Sequence, residues 1–163
     1  MKYTLIRSTS YSIDYDNHYL IKEVELEGEA LFNFLHGVLV EVMKGTLDTD
    51  IAGRTPEIYL KNLQIGRLGN FSKRYILAAE HNEKTIGILI GLPDSDNEKG
   101  FHIFSLGVSP EFRGQGIGKA LMGKCIEDLK DREYTGIILD VHAENKPALQ
   151  LYKKLGFHQF ENA

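Results

Sequence analysis

Between an apolar run over residues 101–108 and a helical pattern beginning near residue 116 stands Arg113-Gly114-Gln115-Gly116-Ile117-Gly118. No other stretch of the chain narrows its folding options so far. Alternate glycines strip a strand-to-helix turn of side chains and admit backbone angles that other residues resist. Consecutive N–H groups are then free to point at an anion, at the helix end where the dipole is positive. Such a turn suits phosphate. The plainer alternative is a Gly-rich connection without a ligand.

The common nucleotide turns do not match. A dinucleotide-binding fingerprint spaces its glycines GxGxxG, whereas this turn reads GxGxG. A Walker turn requires GxxxxGK followed by Ser or Thr, but Gly118-Lys119 is followed by Ala120 and the earlier glycine is missing.

The surrounding pattern is that of an α/β layered domain. Residues 3–7 and 18–25 favour β-structure, with Tyr19, Ile21 and Val24 as core-facing candidates. From Glu29, Leu31, Leu35, Val38, Leu39 and Val42 recur at helical steps, ending near Gly45. Residues 47–56 read as a loop, with Pro56 in the first turn of a second helix to about Leu63, and residues 65–74 as a Gly-rich loop. A hairpin is expected over 75–80 and 85–92 around the turn at 81–84, then a turn at 93–100 and a strand over 101–108. A helix to about Arg132 carries Ile117, Leu121, Cys125 and Leu129 on one stripe. Residues 136–142 form a nearly all-apolar strand, as for one buried on both faces. A short helix over 147–155, stopped by Gly156, and a last strand within 157–160 complete the reading.

With 163 residues the chain suits a single domain spanning 1–163. A net charge of −4 argues against nucleic acid as an obligatory partner. No apolar run approaches a membrane span and the first residues lack a signal-peptide core, so a cytoplasmic protein is expected. The single cysteine, Cys125, permits no internal disulfide, and its helical stripe makes it a core residue rather than a nucleophile. His18, His36 and His158 show no metal-ligand grouping, and no acidic cluster has metal spacing, so no metal is expected.

Two blocks, FSLGVSPEFRGQGIGKALM and LDVHAENKPALQLYKKLGF, resemble the paired signatures of the GNAT N-acetyltransferase superfamily. The first carries that family's (Gln/Arg)-x-x-Gly-x-(Gly/Ala) as Arg113, Gly116 and Gly118; the second carries Asn145 at a strand end and Tyr152 before Leu-Gly-Phe. The resemblance covers about residues 74–158, the acetyl-CoA-binding core. It implies a mixed sheet of six to seven strands flanked by helices, whose central strands splay apart.

By the same resemblance, main-chain amides from Arg113 through Gly114, Gln115, Gly116, Ile117, Gly118 and Lys119 grip the pyrophosphate of acetyl-CoA. Leu106, Gly107 and Val108 pair with its pantetheine amides, and Gly107 in a strand independently suggests a bulge or close backbone approach. Arg113 is assigned to the phosphate side, with a surface salt bridge as its alternative. Tyr152 is implied as the acid that protonates the leaving thiolate; its helical face also permits a core role. Asn145 bonds pantetheine or orders its loop, compatibly with capping the following helix. His102 lies where some relatives carry a glutamate that deprotonates the amine, and a histidine near pKa ~6.5 suits that task. A structural histidine is the alternative, Glu80 and His81 are lesser candidates for the base, and His142 is read as structural.

The implied enzyme moves an acetyl group to a primary amine, of a small molecule or of a peptide or protein, by direct attack in a ternary complex. The alternative is an acyl-CoA-binding sensor or scaffold without turnover; a third reading is transfer of a longer acyl chain or to a hydroxyl. The N-terminal helices and the loop at 66–73 are the expected acceptor-facing pieces. One departure stands out: family members usually carry two strands after Leu-Gly-Phe, and here there is little room for a seventh. The N-terminal strand segments, or a second subunit in a homodimer, are expected to complete the sheet.

Overall fold

The computed structural model describes residues 1–16, 18–45 and 56–160. The loop expected at 47–56 therefore lies, apart from Pro56, outside the described residues. Its strands are β1 (Lys2–Ser8), β2 (Leu20–Glu23), β3 (Tyr75–His81), β4 (Lys84–Pro93), β5 (Gly100–Val108), β6 (Gly136–His142) and β7 (His158–Gln159). The helices are α1 (Gly28–Val42), α2 (Glu57–Gln64), α3 (Ile117–Asp131) and α4 (Lys146–Lys154). Pro56 stands just ahead of α2, one residue earlier than expected.

The strands form one sheet in the order β2-β3-β4-β5-β6-β1-β7. Every neighbouring pair is antiparallel except β5 and β6. That parallel pair is joined by α3, the crossover such a pairing requires. The hairpin between β3 and β4 turns on Asn82 and Glu83, whose φ angles of 50° and 65° are those of a twisted two-residue turn.

Two apolar layers enclose the sheet. On one face α3 places Ile117, Leu121, Cys125 and Leu129 against Leu77, Leu89, Leu139 and Val141. On the other, α1 and α2 place Leu31, Leu35, Leu39 and Leu63 against Ile76, Ile88, Ile90 and Leu92. Tyr19 and Ile21 join the first layer and Val24 the second.

Two arrangements matter for the site. First, β1 lies between β6 and β7, pairing residues 2–8 with 142–136. The opening strand of the chain thus completes the sheet, in keeping with the first of the two alternatives above. Second, β6 is not buried on both faces. Ile137, Leu139 and Val141 are buried, while Ile138 and His142 are half-buried and Asp140 is exposed. The apolar run reflects one covered face plus a partly open one, because α1 and α2 lie over the β3–β5 side of the sheet.

Candidate active site

The β5–β6 ladder is short. It pairs residues 100–103 with 136–139, and beyond Ile103 and Leu139 no further rung forms. The two strands part there, as the family resemblance implies. The β-bulge is on β5, but not at Gly107. Ile90 pairs with Ser105 while Gly91 pairs with Ile103, which makes Phe104 the extra residue. Gly107 serves a different purpose: a Cβ there would meet Val42 Cγ2 at 3.0 Å and Met43 Cε at 3.1 Å. Its bare backbone lets the end of α1 press onto β5.

The gap opens into a cavity of about 740 Å³. Its lining includes Leu106, Gly107, Val108, Arg113, Gly114, Gly116, Ile117, Gly118 and Lys119 on one side. Asp140, His142, Asn145 and Tyr152 line it from β6 and α4, and His102 and Phe104 from β5. Of the acceptor-facing pieces, Met43, Gly45 and Leu68 reach it. Gln115, Glu80 and His81 are not among its lining residues.

The glycine turn has the local geometry of an anion cradle. Gly114 has φ 79° and Gly116 φ 83°, both left-handed, and a Cβ at either would meet nothing within 4 Å. Gly116 is the N-cap of α3 and supplies no side-chain cap. The first N–H groups of a helix have no intrahelical acceptor, and Gly116, Ile117, Gly118 and Lys119 at the start of α3 line the cavity. Gln115 is held to the side, its Oε1 accepting from Tyr19 Oη at 2.8 Å and its Nε2 donating to Glu111 O at 3.4 Å.

Arg113 is placed differently from its phosphate-side assignment. Its Nε donates to Val108 O at 3.0 Å, and Nη2 donates to Val42 O at 3.1 Å and to Lys44 O. The guanidinium therefore ties the turn to the carbonyl end of α1, where a cation also complements the helix dipole. Its spacing in the signature could not reveal this, because those carbonyls lie about seventy residues away.

Asn145 caps α4, with Ala148 N–H donating to its Oδ1 at 3.3 Å. Tyr152 is half-buried, lines the cavity and packs edge-on against Phe157 with ring centroids 5.6 Å apart. Part of the Tyr152 ring packs against the core while the residue borders the cavity. His142 Nδ1 accepts from Glu144 N–H at 3.1 Å, which fits a structural role.

His102 stacks on Phe104, with centroids 4.1 Å apart and planes 4° from parallel. Its Nε2 lies 3.7 Å from Asp140 Oδ2. Asp140 was not anticipated, although it is the single carboxylate in the run GIILDVH, and a charge in an apolar strand is the signal that could have found it. Thr4 Oγ1 donates to Asp140 Oδ1 at 2.8 Å, and Lys2 Nζ stands 3.9 Å from Oδ2.

The lesser candidates for the base lie elsewhere. Glu80 pairs with Lys22 at 2.8 Å, and His81 packs against Tyr19 and Phe112. Cys125 is fully buried in the core, and burial pushes its thiol well above the ordinary range. Among the described residues no group of His, Cys, Asp and Glu could hold a metal ion, and no helix is long and apolar enough to cross a membrane.

Comparison with known proteins agrees with the geometry. The model of the acetyltransferase (GNAT) family matches residues 39–157. The chain belongs to this family. Among curated proteins, it is 30% identical over 118 residues to N-acetyltransferase 8F1 of Rattus norvegicus, which covers 67% of this chain and 53% of that protein. Mycothiol acetyltransferase of Thermobifida fusca is 37% identical over 68 residues, 42% of this chain and 21% of that protein. The chain thus spans about half or less of the length of these relatives. Among solved structures, the ribosomal-protein-S18-alanine N-acetyltransferase from Escherichia coli superposes with a TM-score of 0.66 at 19% identity, covering 88% of this chain and 79% of that one. At that identity the likeness concerns the GNAT fold alone. The match from residue 39 takes in only the last turn of α1, from Leu39 on, further toward the N-terminus than the signature blocks reach.

Proposed function

We propose that the protein is an acetyl-CoA-dependent N-acetyltransferase that moves an acetyl group to a primary amine by direct attack in a ternary complex. The observation that carries this reading is the glycine turn opening on the gap between β5 and β6. Two left-handed glycines and an uncapped helix N-terminus meet a strand edge beyond Ile103 that β6 no longer pairs. A diphosphate followed by an amide-bearing arm matches that order of binding groups.

The main-chain amides of residues 113–119 would hold the pyrophosphate, and Leu106, Gly107 and Val108 the pantetheine. Acetyl-CoA supplies an activated thioester. The chain's own residues manage the protons. An alkyl ammonium has a pKa near ~10.4 and must lose a proton before it can attack. His102, one residue before the β5–β6 ladder ends, takes that proton. The amine nitrogen then forms its bond to the acetyl carbon as the carbon–sulfur bond breaks. Tyr152 gives its phenolic proton to the departing thiolate and regains one from the attacking nitrogen, which sheds its remaining extra proton to leave a neutral amide. Asn145, fixed as the cap of α4, holds the β6–α4 corner in place.

The test is a calorimetric titration with CoA and acetyl-CoA, followed by a thiol-release assay over a panel of amines and acyl-CoA chain lengths. Binding with turnover of amines is the expected result. Tight binding without turnover would instead mark an acyl-CoA sensor, and absence of binding would remove the assignment altogether.

A further inference from the structure

We propose that Asp140 is the docking carboxylate for the acceptor's ammonium and that Lys2 is its built-in competitor. The inference rests on the N-acetyltransferase reading and adds an acceptor-specificity device from outside the cofactor-binding half.

Register places the parts on one face. Thr4 is opposite Asp140 and Lys2 is opposite His142 across β1 and β6. His102 is opposite Ile138 across β5 and β6. Side chains two residues apart along a strand share a face, so His102, Asp140, Thr4 and Lys2 stand together on the half-open face of the sheet. Of these, Lys2, His102 and Asp140 line the cavity along with Tyr152.

Asp140 is held for such a task. One of its oxygens accepts from Thr4 Oγ1 at 2.8 Å, fixing the carboxylate plane. The other faces His102 Nε2 at 3.7 Å and Lys2 Nζ at 3.9 Å. The lysine contact is long, and the Lys2 side chain is 57% exposed, so that ammonium is easily displaced. An alkylammonium of the chain itself therefore stands where an incoming one would be attracted. An acceptor docked there has His102 next to its nitrogen, and Asp140 stabilises the charged form until the imidazole takes the proton. Among the described residues, the titratable groups that contact the carboxylate are Lys2 from β1 and His102 from β5.

This arrangement gives a signature that a merely structural role would not. Asp140→Asn and Lys2→Gln remove the two members of one ion pair, yet should move KM in opposite directions. The experiment uses the full chain with saturating acetyl-CoA, and compares alkylamines, charged at neutral pH, with an arylamine that is neutral there. Asp140→Asn should raise KM for the alkylamine about ten- to hundredfold and leave the arylamine and CoA affinity little changed. Lys2→Gln should lower the alkylamine KM about two- to fivefold. Asp140→Glu should recover part of the loss.

Equal effects on charged and neutral acceptors, or shifts of the same sign in the two variants, would overturn the proposal. Should Asp140→Asn melt early, Lys2→Gln and Asp140→Glu decide alone, and an unchanged or raised KM in Lys2→Gln counts against it. If wild-type protein binds CoA but acetylates no amine, the enzymatic reading itself fails and this inference falls with it. If amines are acetylated with wild-type preference in every variant, only this inference fails.

Discussion

Alanine at Gly116 and alanine at Gly118 should push the molecule in opposite directions. Gly116 sits at φ 83°, and a Cβ there would meet no atom within 4 Å. The cost is therefore purely in the backbone, about 1–2 kcal/mol for an L-residue held in the left-handed region. For a domain of this length each kcal/mol moves Tm by about 2–4 °C, so the variant should melt about 2–8 °C lower. Ligand affinity should suffer more. If the alanine relaxes to negative φ, the N–H groups of the turn rotate off the mouth, and each lost hydrogen bond to a charged group removes about 1.5–3 kcal/mol. That is roughly tenfold to 150-fold in Kd per bond. If it does not relax, its methyl projects into the space the turn leaves for an anion.

Gly118 lies inside α3 without a left-handed φ, and a Cβ there would rest 3.6 Å from Leu151 Cδ2, an ordinary contact. Alanine at this position gains up to ~1 kcal/mol of helix propensity. It should melt up to about 4 °C higher, with CoA affinity within about threefold of wild type. Thermal melts without ligand and calorimetric titration with CoA measure both quantities. A Gly116→Ala protein that binds CoA as wild type does, or a pair that loses affinity alike, would refute the cradle argument.

Three further outcomes are expected. Tyr152→Phe should lower kcat by roughly one to four orders of magnitude with little change in CoA affinity, and unchanged kcat would remove the phenol from the chemistry. Arg7→Met should destabilise the fold by about 2–3 kcal/mol, because the buried guanidinium donates to Leu155 O, Ser8 O and Tyr11 O; a urea melt within 0.5 kcal/mol of wild type would contradict this (~0.5 being the ordinary scatter of surface substitutions). Stability should fall at alkaline pH, since burial raises the Cys125 thiol, with Asp128 adding, and burial raises the Tyr75 phenol, with Cys125 and Asp128 adding. Each group binds its proton more tightly folded than unfolded, so the loss begins near the unfolded values, about 8.5 for the thiol and about 10 for the phenol, at up to about 1.4 kcal/mol per pH unit for each. Cys125→Ala should delay the onset to about pH 10 in urea titrations, and an onset unmoved by that substitution would be the contrary result.

The parts legible in the sequence are those whose causes are local. Leu31, Leu35, Leu39 and Val42 announce α1 because a helix buries one stripe, and all four are buried. Gly116 and Asn145 announce the two helix starts because a cap acts within a few residues. The bulge was legible only as a property of β5. Gly107 is the visible irregularity, yet the extra residue is Phe104, and which residue is squeezed out depends on how Ile90 and Gly91 pair across the hairpin. Non-local partners were legible only in outline. The β-favouring run at 3–7 suggests a strand, and the missing last strand suggests that it closes the sheet, but neither says that it pairs with residues 136–142. Nor does the spacing of Arg113 disclose that its guanidinium ends on the carbonyls of Val42 and Lys44.

This division has a functional consequence. The groups proposed to hold CoA come from one nearly continuous stretch, Leu106 through Tyr152, inside the 39–157 span that matches the GNAT model. Cofactor geometry is thereby encoded by adjacent strand, turn and helix, and is hard to alter piecemeal. The proposed acceptor side is assembled from distant segments: Lys2 and Thr4 of β1, Leu68 after α2, His102 and Phe104 of β5, and Asp140 of β6. Inserting β1 between β6 and β7 brings Lys2 and Thr4, which lie outside the matched span, to within about 4 Å of Asp140. On the proposed reading, a substitution in β1 should therefore change which amine is accepted without touching the glycine turn. Exchanging Lys2 and Thr4 while keeping Leu5 and Arg7, which are buried, should accordingly shift acceptor KM values and leave CoA affinity in place. If the exchange changed CoA affinity as much as acceptor KM, the two halves would not be separable in this way.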